Sequence, residues 1–231
     1  MSQKSTVQPP HWSRPSHNFT TPRLILRSAL SSDAHPFTII RNNPQNRPFG
    51  GVVDPDLSTE VQAQRLEAQK ISTAAGKNAW LVVILKEDSE EISRSDNVKD
   101  LRVHDGFLIG MTGFNSFPVE KSNDGTGEDI LIGDIGVLID YRFARKGFAL
   151  ETLCAVVEFG FYELGCGKIT LETYAINTPF RGLMKAARLE DVVVLRRIGD
   201  GPPDQEAYYE FGEQKWEAVK KEMVRDEKWL L

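Results

Sequence analysis

Apolar and polar residues alternate over Arg23-Leu24-Ile25-Leu26-Arg27, the two-residue period of an edge or half-buried strand. Ser32 or Asp33 then offers a side-chain oxygen to cap a short helix running through Ile40. Residues 41–55 are crowded with Asn, Pro and Gly and read as loop. Thr59 and Gln62 have the spacing of a capping box, which starts a helix that ends near Thr73 and Gly76. Residues 80–85 form a strand, and the charged segment 86–105 is a solvated loop. A second strand follows at 107–114, its glycines marking a bend or close packing, then a turn at 121–129. Residues 130–139 make a third strand, nearly all apolar but for Asp134.

Leu150, Leu153, Cys154, Val157 and Phe161 recur at three- and four-residue intervals, which predicts a helix over 147–164 stopped by Gly165 and Gly167. A strand at 168–174, a helix at 179–189 and strands at 192–198 and 206–211 complete the pattern. The closing helix, from 213, carries Trp216, Val219 and Met223 on one face, a core-packing stripe. Three meandering strands followed by a strand–helix–strand crossover give an α/β fold: one mixed, mostly antiparallel central sheet flanked by helices. No internal repeat or low-complexity linker divides the chain, so residues 19–231 are read as one domain. Residues 1–18, polar and dotted with proline, are read as a flexible N-terminal tail.

Composition narrows the classes. The 231 residues carry 28 Lys+Arg against 33 Asp+Glu, a formal charge of −5, with 40% hydrophobic and 26% charged residues. That is the balance of a globular domain, with no overall positive field to draw nucleic acid or an anionic membrane. No apolar run is long enough to span a bilayer and no signal peptide is visible, so the expected compartment is the cytoplasm, with the nucleus as the alternative. Cys154 and Cys166 lack a CxxC pattern and read as small buried hydrophobes. The four histidines, among them His11 and His17 in the tail, show no metal spacing and read as surface residues, so no metal is expected. There is no Walker phosphate loop and no G-x-S-x-G elbow.

Chemistry concentrates where the apolar strand 130–139 passes through Asp140-Tyr141-Arg142-Phe143-Ala144-Arg145-Lys146-Gly147 into the long helix. The first amides of that helix have no intrahelical acceptor, and the helix dipole adds partial positive charge. This makes an anion site suited to a pyrophosphate, with Gly147 allowing close backbone approach and Arg142, Arg145 and Lys146 supplying charge. An ordinary strand-to-helix turn with solvated basic residues is the alternative.

Three segments resemble the GNAT superfamily of N-acetyltransferases, in particular its branch of ribosomal-protein N-terminal acetyltransferases. Thr21-Pro22-Arg23-Leu24-Ile25-Leu26-Arg27 with Asp33-Ala34 is similar to that branch's opening strand and helix. Asp134-Ile135-Gly136 through Gly147-Phe148-Ala149 is similar to its acetyl-CoA motif. Leu171 to Asn177 with the helix after it is similar to the later strand–Asn–helix segment. The resemblance implies a GNAT-like fold with splayed central strands and acetyl-CoA as co-substrate. It assigns the pantetheine arm to the backbone of Val137, Leu138 and Ile139. It gives the pyrophosphate to the amides of Ala144, Arg145, Lys146, Gly147, Phe148 and Ala149, and a cofactor contact to Asn177.

The motif departs from the family where Ala144 replaces Gln or Arg, and where Arg145, which demands ordinary backbone angles, replaces a common glycine. Phe180 stands at a position often Ser or Ala, Met184 where several members carry a tyrosine acid, and Arg188 at a frequent glycine.

Acetyl transfer to an amine by direct attack in a ternary complex needs a base, a polarised carbonyl and a proton for the leaving thiolate. Asp134 is the first candidate base and Glu172 the second, each with a structural alternative. Tyr174 is the candidate acid, with Tyr208 and Tyr209 weaker, and the Val137 amide could polarise the thioester. The expected activity is therefore acetyl-CoA-dependent N-acetylation of a primary amine, either a protein N-terminus or a small molecule, by a monomer or homodimer. The expected acceptor pocket draws on the first helices, residues 41–57 and residues 199–211. A non-catalytic acyl-CoA-binding or interaction module is the alternative.

Overall fold

The computed structural model describes residues 12–49, 54, 57–88, 98–121, 129–199 and 204–231. In chain order these form β1 (Asn18–Thr20), β2 (Leu24–Ser28), α1 (Ala34–Asn42), α2 (Thr59–Ala74), β3 (Ala79–Leu85), β4 (Arg102–Val103) and β5 (Gly106–Ser116). There follow β6 (Val119–Lys121), β7 (Asp129–Ile139), α3 (Phe148–Glu158), β8 (Lys168–Tyr174), α4 (Thr178–Ala186), β9 (Val193–Arg197), β10 (Gln205–Gly212) and α5 (Glu213–Arg225). The strands build one sheet in the order β1-β2-β3-β5-β7-β8-β10-β9, with β4 beside β5 and β6 beside β7. Every pairing is antiparallel except β7 with β8. β3 and β5 are buried along almost their whole length, with α1 and α3 packed on β5 and α2 on β3. This is the mixed α/β architecture expected.

The alternating segment at the start is β2, but it is not an edge. β1 pairs along its outer side, with Phe19 opposite Leu26. Arg27 on β2 is buried and forks onto the carboxylate of Asp33 at 2.6 and 2.9 Å, with Asp105 at 3.0 Å. Asp33 therefore stands at the start of α1 without capping it. Its carboxylate turns back to Arg27 and to the Leu30 amide, and a short 3-10 turn leads into the helix. At α2 the capping residue is Ser58 rather than Thr59: its hydroxyl accepts from the Val61 amide at 3.3 Å.

The helix expected over 147–164 has two parts. After α3 the chain widens into a π-helical turn, Phe159–Glu163. Phe159 there receives the ring of Phe19, stacked at 4.4 Å between centroids, and the edge of His17 at 5.5 Å. Gly160 lets the turn press against Phe114 and Ile169, where a Cβ would sit 3.0 Å from each. Cys154 and Cys166 are buried, and desolvation pushes both thiols up to about 12, as expected of packing residues. Trp216 is fully buried and donates to Glu158 at 2.5 Å.

The N-terminal segment corrects an expectation. Residues 1–11, including His11, lie outside the described residues, but 12–17 pack rather than hang free. Trp12 donates to the Gly76 carbonyl at 3.2 Å and its ring lies 6.2 Å from that of Phe117. His17 is not a surface residue: it is 3% exposed, and neither ring nitrogen has a hydrogen-bond partner among the described residues. Burial, with Arg14 nearby, lowers its pKa to about 4. As pH falls below the ordinary 6.5 the unfolded chain binds a proton that the folded chain refuses, so stability drops until pH 4, where both are protonated. His17→Phe should flatten that segment of the stability profile and raise the melting temperature at pH 5, relative to pH 8, by roughly 2–5 °C. Calorimetric melts at the two pH values test this; parallel shifts would show that His17 does not carry the dependence.

Candidate active site

The site begins with a fault in the sheet. β7 and β8 run parallel and pair only at Ile132/Lys168, Gly133/Ile169 and Asp134/Thr170, after which they part. Beyond Asp134, β7 stays paired on its β5 side and β8 stays paired to β10. A V-shaped gap opens between them, and the backbone groups facing it lack a ladder partner. Strand parity decides which groups these are. The Leu131 carbonyl accepts from Gly167 on the β8 side, whereas the Asp140 amide donates to Ile109 on the β5 side. Alternation then aims the peptide groups of Val137 and Ile139 into the gap. Leu138 differs from expectation: its carbonyl faces β5, where a Cβ on Gly110 would come within 2.3 Å of it. What Leu138 offers the site is its side chain, on the wall of a neighbouring cleft.

At the mouth of the gap, β7 ends in a 3-10 turn over Tyr141–Phe143, capped by the buried Asp140 carboxylate. Asn46 holds this corner from the far side, donating to Asp140 at 3.0 Å and accepting from the Tyr141 amide at 2.7 Å. Two expectations fail here. Arg142 is committed to ion pairs with Asp140 at 2.8 Å and Asp100 at 3.1 Å. The Ala144 amide is spent on the Tyr141 carbonyl at 3.1 Å. The amides of Arg145, Gly147, Phe148 and Ala149 have no acceptor among the described residues, and Ala144, Arg145 and Gly147 are exposed.

Arg145 also departs from the backbone angles expected of it: φ is +65°, the left-handed region a glycine would favour, and Gly147 follows at +83°. The non-glycine residue costs about 1–2 kcal/mol there, and the corner takes the shape that a glycine would give it. Arg145→Gly trades that strain against the larger unfolded-state entropy of glycine. It should hold or raise the melting temperature by about 2 °C; a clear fall would mean that the arginine side chain itself holds the corner.

Beside the gap lies a cleft of about 570 Å³, walled by Asn46, Arg47, Leu138, Glu172, Tyr174 and Glu206, with Pro48, Phe49, Thr173, Asn177 and Ile198 completing it. The parts of 41–57 and 199–211 that fall at 50–53, 55–56 and 200–203 lie outside the described residues. Glu172 and Tyr174 share a face of β8, and Glu206 stands opposite Tyr174 on β10. Asp134 is half-buried at the apex of the V and does not line the cleft. Both candidate bases have raised pKa values. For Asp134 the cause is burial, opposed by hydrogen bonds from Asn115 and Ser116. For Glu172 it is burial, then the charges of Glu206 and Asp134. Asn177 caps α4, accepting from the Phe180 amide at 3.2 Å and donating to Thr173 at 2.9 Å. Tyr208 donates to Glu210 at 2.8 Å, under Arg196, and Tyr209 is buried, so of the three tyrosines only Tyr174 lines the cleft. Among the described residues no group of His, Cys, Asp and Glu is placed to hold a metal, and no helix is long and apolar enough to cross a membrane.

With this geometry in hand, the chain can be set beside known proteins. The family model of the acetyltransferase (GNAT) domain matches residues 23–190. The chain belongs to the GNAT family. GNAT enzymes use acetyl-CoA as acetyl donor. No curated protein matches the sequence, but solved structures share the fold. RimJ of Mycobacterium smegmatis, in complex with CoA-disulfide, has a TM-score of 0.64 at 15% identity over 95% of this chain and 97% of its own. The ribosomal-protein-S5-alanine acetyltransferase of Vibrio fischeri has a TM-score of 0.61 at 14% identity, covering 87% and 98%. Apo FdhC, described as a nucleotide-linked sugar GNAT, has a TM-score of 0.62 at 17% identity, covering 93% and 99%.

The structure places the three residues on or near α4 that the sequence comparison set apart from the family motif. Met184 is fully buried and brings no proton donor. Phe180 lies 6.2 Å from the Tyr209 ring, in packing contact. Arg188 sits at φ +56° in a Schellman-type end, where the Leu189 amide donates to the Met184 carbonyl at 2.8 Å, and its side chain pairs with Glu222 of α5 and with Asp226 just past that helix. Sequence reasoning missed Glu151, an acid that is 1% exposed in the first turn of α3. It also missed the use made of Asp140 and Asn46. An acid inside an otherwise apolar helix stripe was the available signal for Glu151.

Proposed function

We propose that this chain transfers the acetyl group of acetyl-CoA to a primary amine by direct attack in a ternary complex. The observation that carries the reading is the gap between β7 and β8, which ends at a corner of unpaired amides. The residues present suit the donor. The peptide groups of Val137 and Ile139 give an extended chain such as the pantetheine arm a strand edge to pair with. The amides of Arg145, Gly147, Phe148 and Ala149, at the positive end of α3, suit a diphosphate. Arg145 and Lys146 add charge, and Asn177 lines the cleft beside the gap. Acetyl-CoA supplies an activated acyl group, and the rest of the chemistry falls to the chain.

The acceptor occupies the cleft. Glu172 and Glu206 on its wall favour a group that is cationic in solution, as a primary ammonium is. Glu172, raised by burial and by two neighbouring carboxylates, accepts the ammonium proton at a pH where an ordinary glutamate would be a weak base. Asp134 sustains that raised value from the apex. The Val137 amide, which faces the gap, polarises the thioester carbonyl in this reading. Tyr174 is the one tyrosine on the cleft wall and supplies the proton to the departing thiolate.

The test is release of free thiol from acetyl-CoA in the presence of a panel of peptides with free N-termini and small amines, with calorimetry of coenzyme A binding alongside. Turnover on a member of the panel with saturation in acetyl-CoA supports the reading. Tight binding with no turnover on any acceptor supports a non-catalytic acyl-CoA-binding module instead. Absence of binding removes both.

A further inference from the structure

The anion corner is held from beneath by a residue outside it. Arg23 precedes β2, 124 positions before Gly147. Its Nε donates to Glu151 Oε2 at 2.6 Å and its Nη1 to the Lys146 carbonyl at 3.1 Å. Its guanidinium lies 4.4 Å from the centre of the Phe148 ring, and Nη2 lies 3.2 Å from where a Cβ on Gly147 would be. Glu151 is fixed in turn by the Thr21 hydroxyl at 2.5 Å and the Arg23 amide at 3.0 Å. One guanidinium thus bonds Lys146, lies over Phe148 and occupies the space beside Gly147 between them.

The consequence follows from peptide planarity. In a trans peptide the carbonyl of one residue and the N–H of the next point in opposite directions. Nη1 draws the Lys146 carbonyl inward, so the Gly147 N–H in the same peptide must face outward, toward the mouth of the gap. Glu151 by itself would place an uncompensated negative charge in the first turn of α3, opposing an incoming anion; the pairing with Arg23 cancels it. Resting on the reading of this corner as the diphosphate site, we propose that Arg23 is a positioning residue for cofactor binding. It sets the plane of the Lys146–Gly147 peptide, and Glu151 sets Arg23.

Coenzyme A titrated into the full-length protein, followed by calorimetry and by amide NMR, tests this. Val137, in the gap, serves as an independent marker of pantetheine engagement. In the unmodified protein the Gly147 and Val137 amides should both shift. In Arg23→Gln the dissociation constant should rise about tenfold or more, the worth of a charge-assisted hydrogen bond. At saturation Val137 should still shift and Gly147 should not. Arg23→Lys keeps a cation for Glu151 but loses the fork to Lys146. It should behave the same way, and it carries the test if the glutamine variant melts early. Unchanged affinity and a normal Gly147 shift in a folded variant overturn the role of Arg23. Equal loss of both amide shifts at saturation also overturns it, because the effect would then be a general loosening. Failure of both amides to respond in the unmodified protein overturns the diphosphate reading itself, and this proposal with it.

Discussion

Gly147→Asp should weaken acetyl-CoA binding by about two to three orders of magnitude while the protein still folds. Gly147 is exposed at φ +83°, and among the described residues other than its chain neighbours only Nη2 of Arg23 comes within 4 Å of a Cβ built there. Aspartate is among the side chains that tolerate the left-handed region best, so the backbone change costs about 1–2 kcal/mol. The charge is the larger effect. A carboxylate about 4 Å from a phosphate oxygen in a medium of effective dielectric near 20 costs about 4 kcal/mol, and each 1.4 kcal/mol is a factor of ten. Gly147→Asn, equal in shape and neutral, separates the two causes and should lose only about tenfold. Calorimetry with acetyl-CoA reads both variants. Equal affinity for the aspartate variant and the unmodified protein would remove the corner as the anion site.

Much of this corner was legible in the sequence because it depends on main-chain geometry. A long apolar strand, a short basic turn, a glycine and an amphipathic helix announce unpaired amides whatever the side chains are. What stayed hidden depends on partners far along the chain. No local pattern shows that Arg142 will be taken by Asp100, or that the Ala144 amide will be spent closing a 3-10 turn. The left-handed angle of Arg145 is hidden for a similar reason: arginine avoids that region unless the surrounding fold imposes it. Val137 and Leu138 could not be told apart in their peptide directions until the strand beside β7 was known. β1 and the packed residues before it escaped because a polar, proline-containing stretch carries no two-residue period. The β3-β5-β7 meander and the crossover to β8, by contrast, followed from the strand and helix pattern, and that part of the order brings Glu172 near Asp134; the insertion of β10 between β8 and β9 left no such local mark.

That adjacency yields the second large effect. Glu172→Gln should lower kcat by about two to four orders of magnitude, the usual worth of a general base, with KM for acetyl-CoA nearly unchanged because Glu172 lines the cleft proposed for the acceptor rather than the amide corner. In the unmodified enzyme kcat should rise with pH through the raised pKa of the Glu172 carboxyl, since only its ionised form takes a proton from the acceptor. In Glu172→Gln that rise should vanish. Asp134→Asn should act differently. Removing a negative charge that raises the Glu172 pKa lowers it, so the acid limb of the profile moves to lower pH instead of disappearing. The maximal rate at high pH should fall only modestly, as a weaker base replaces a stronger one. Burial raises the Glu172 carboxyl first, then the charges of Glu206 and Asp134, so the limb of the unmodified enzyme is not assigned by its position alone, and the two variants are what assign the proton. If the limb vanishes in Asp134→Asn and survives in Glu172→Gln, Asp134 is the base and Glu172 its neighbour. If both variants keep the limb where it was, the acceptor amine loses its proton to solvent and neither carboxylate is the base.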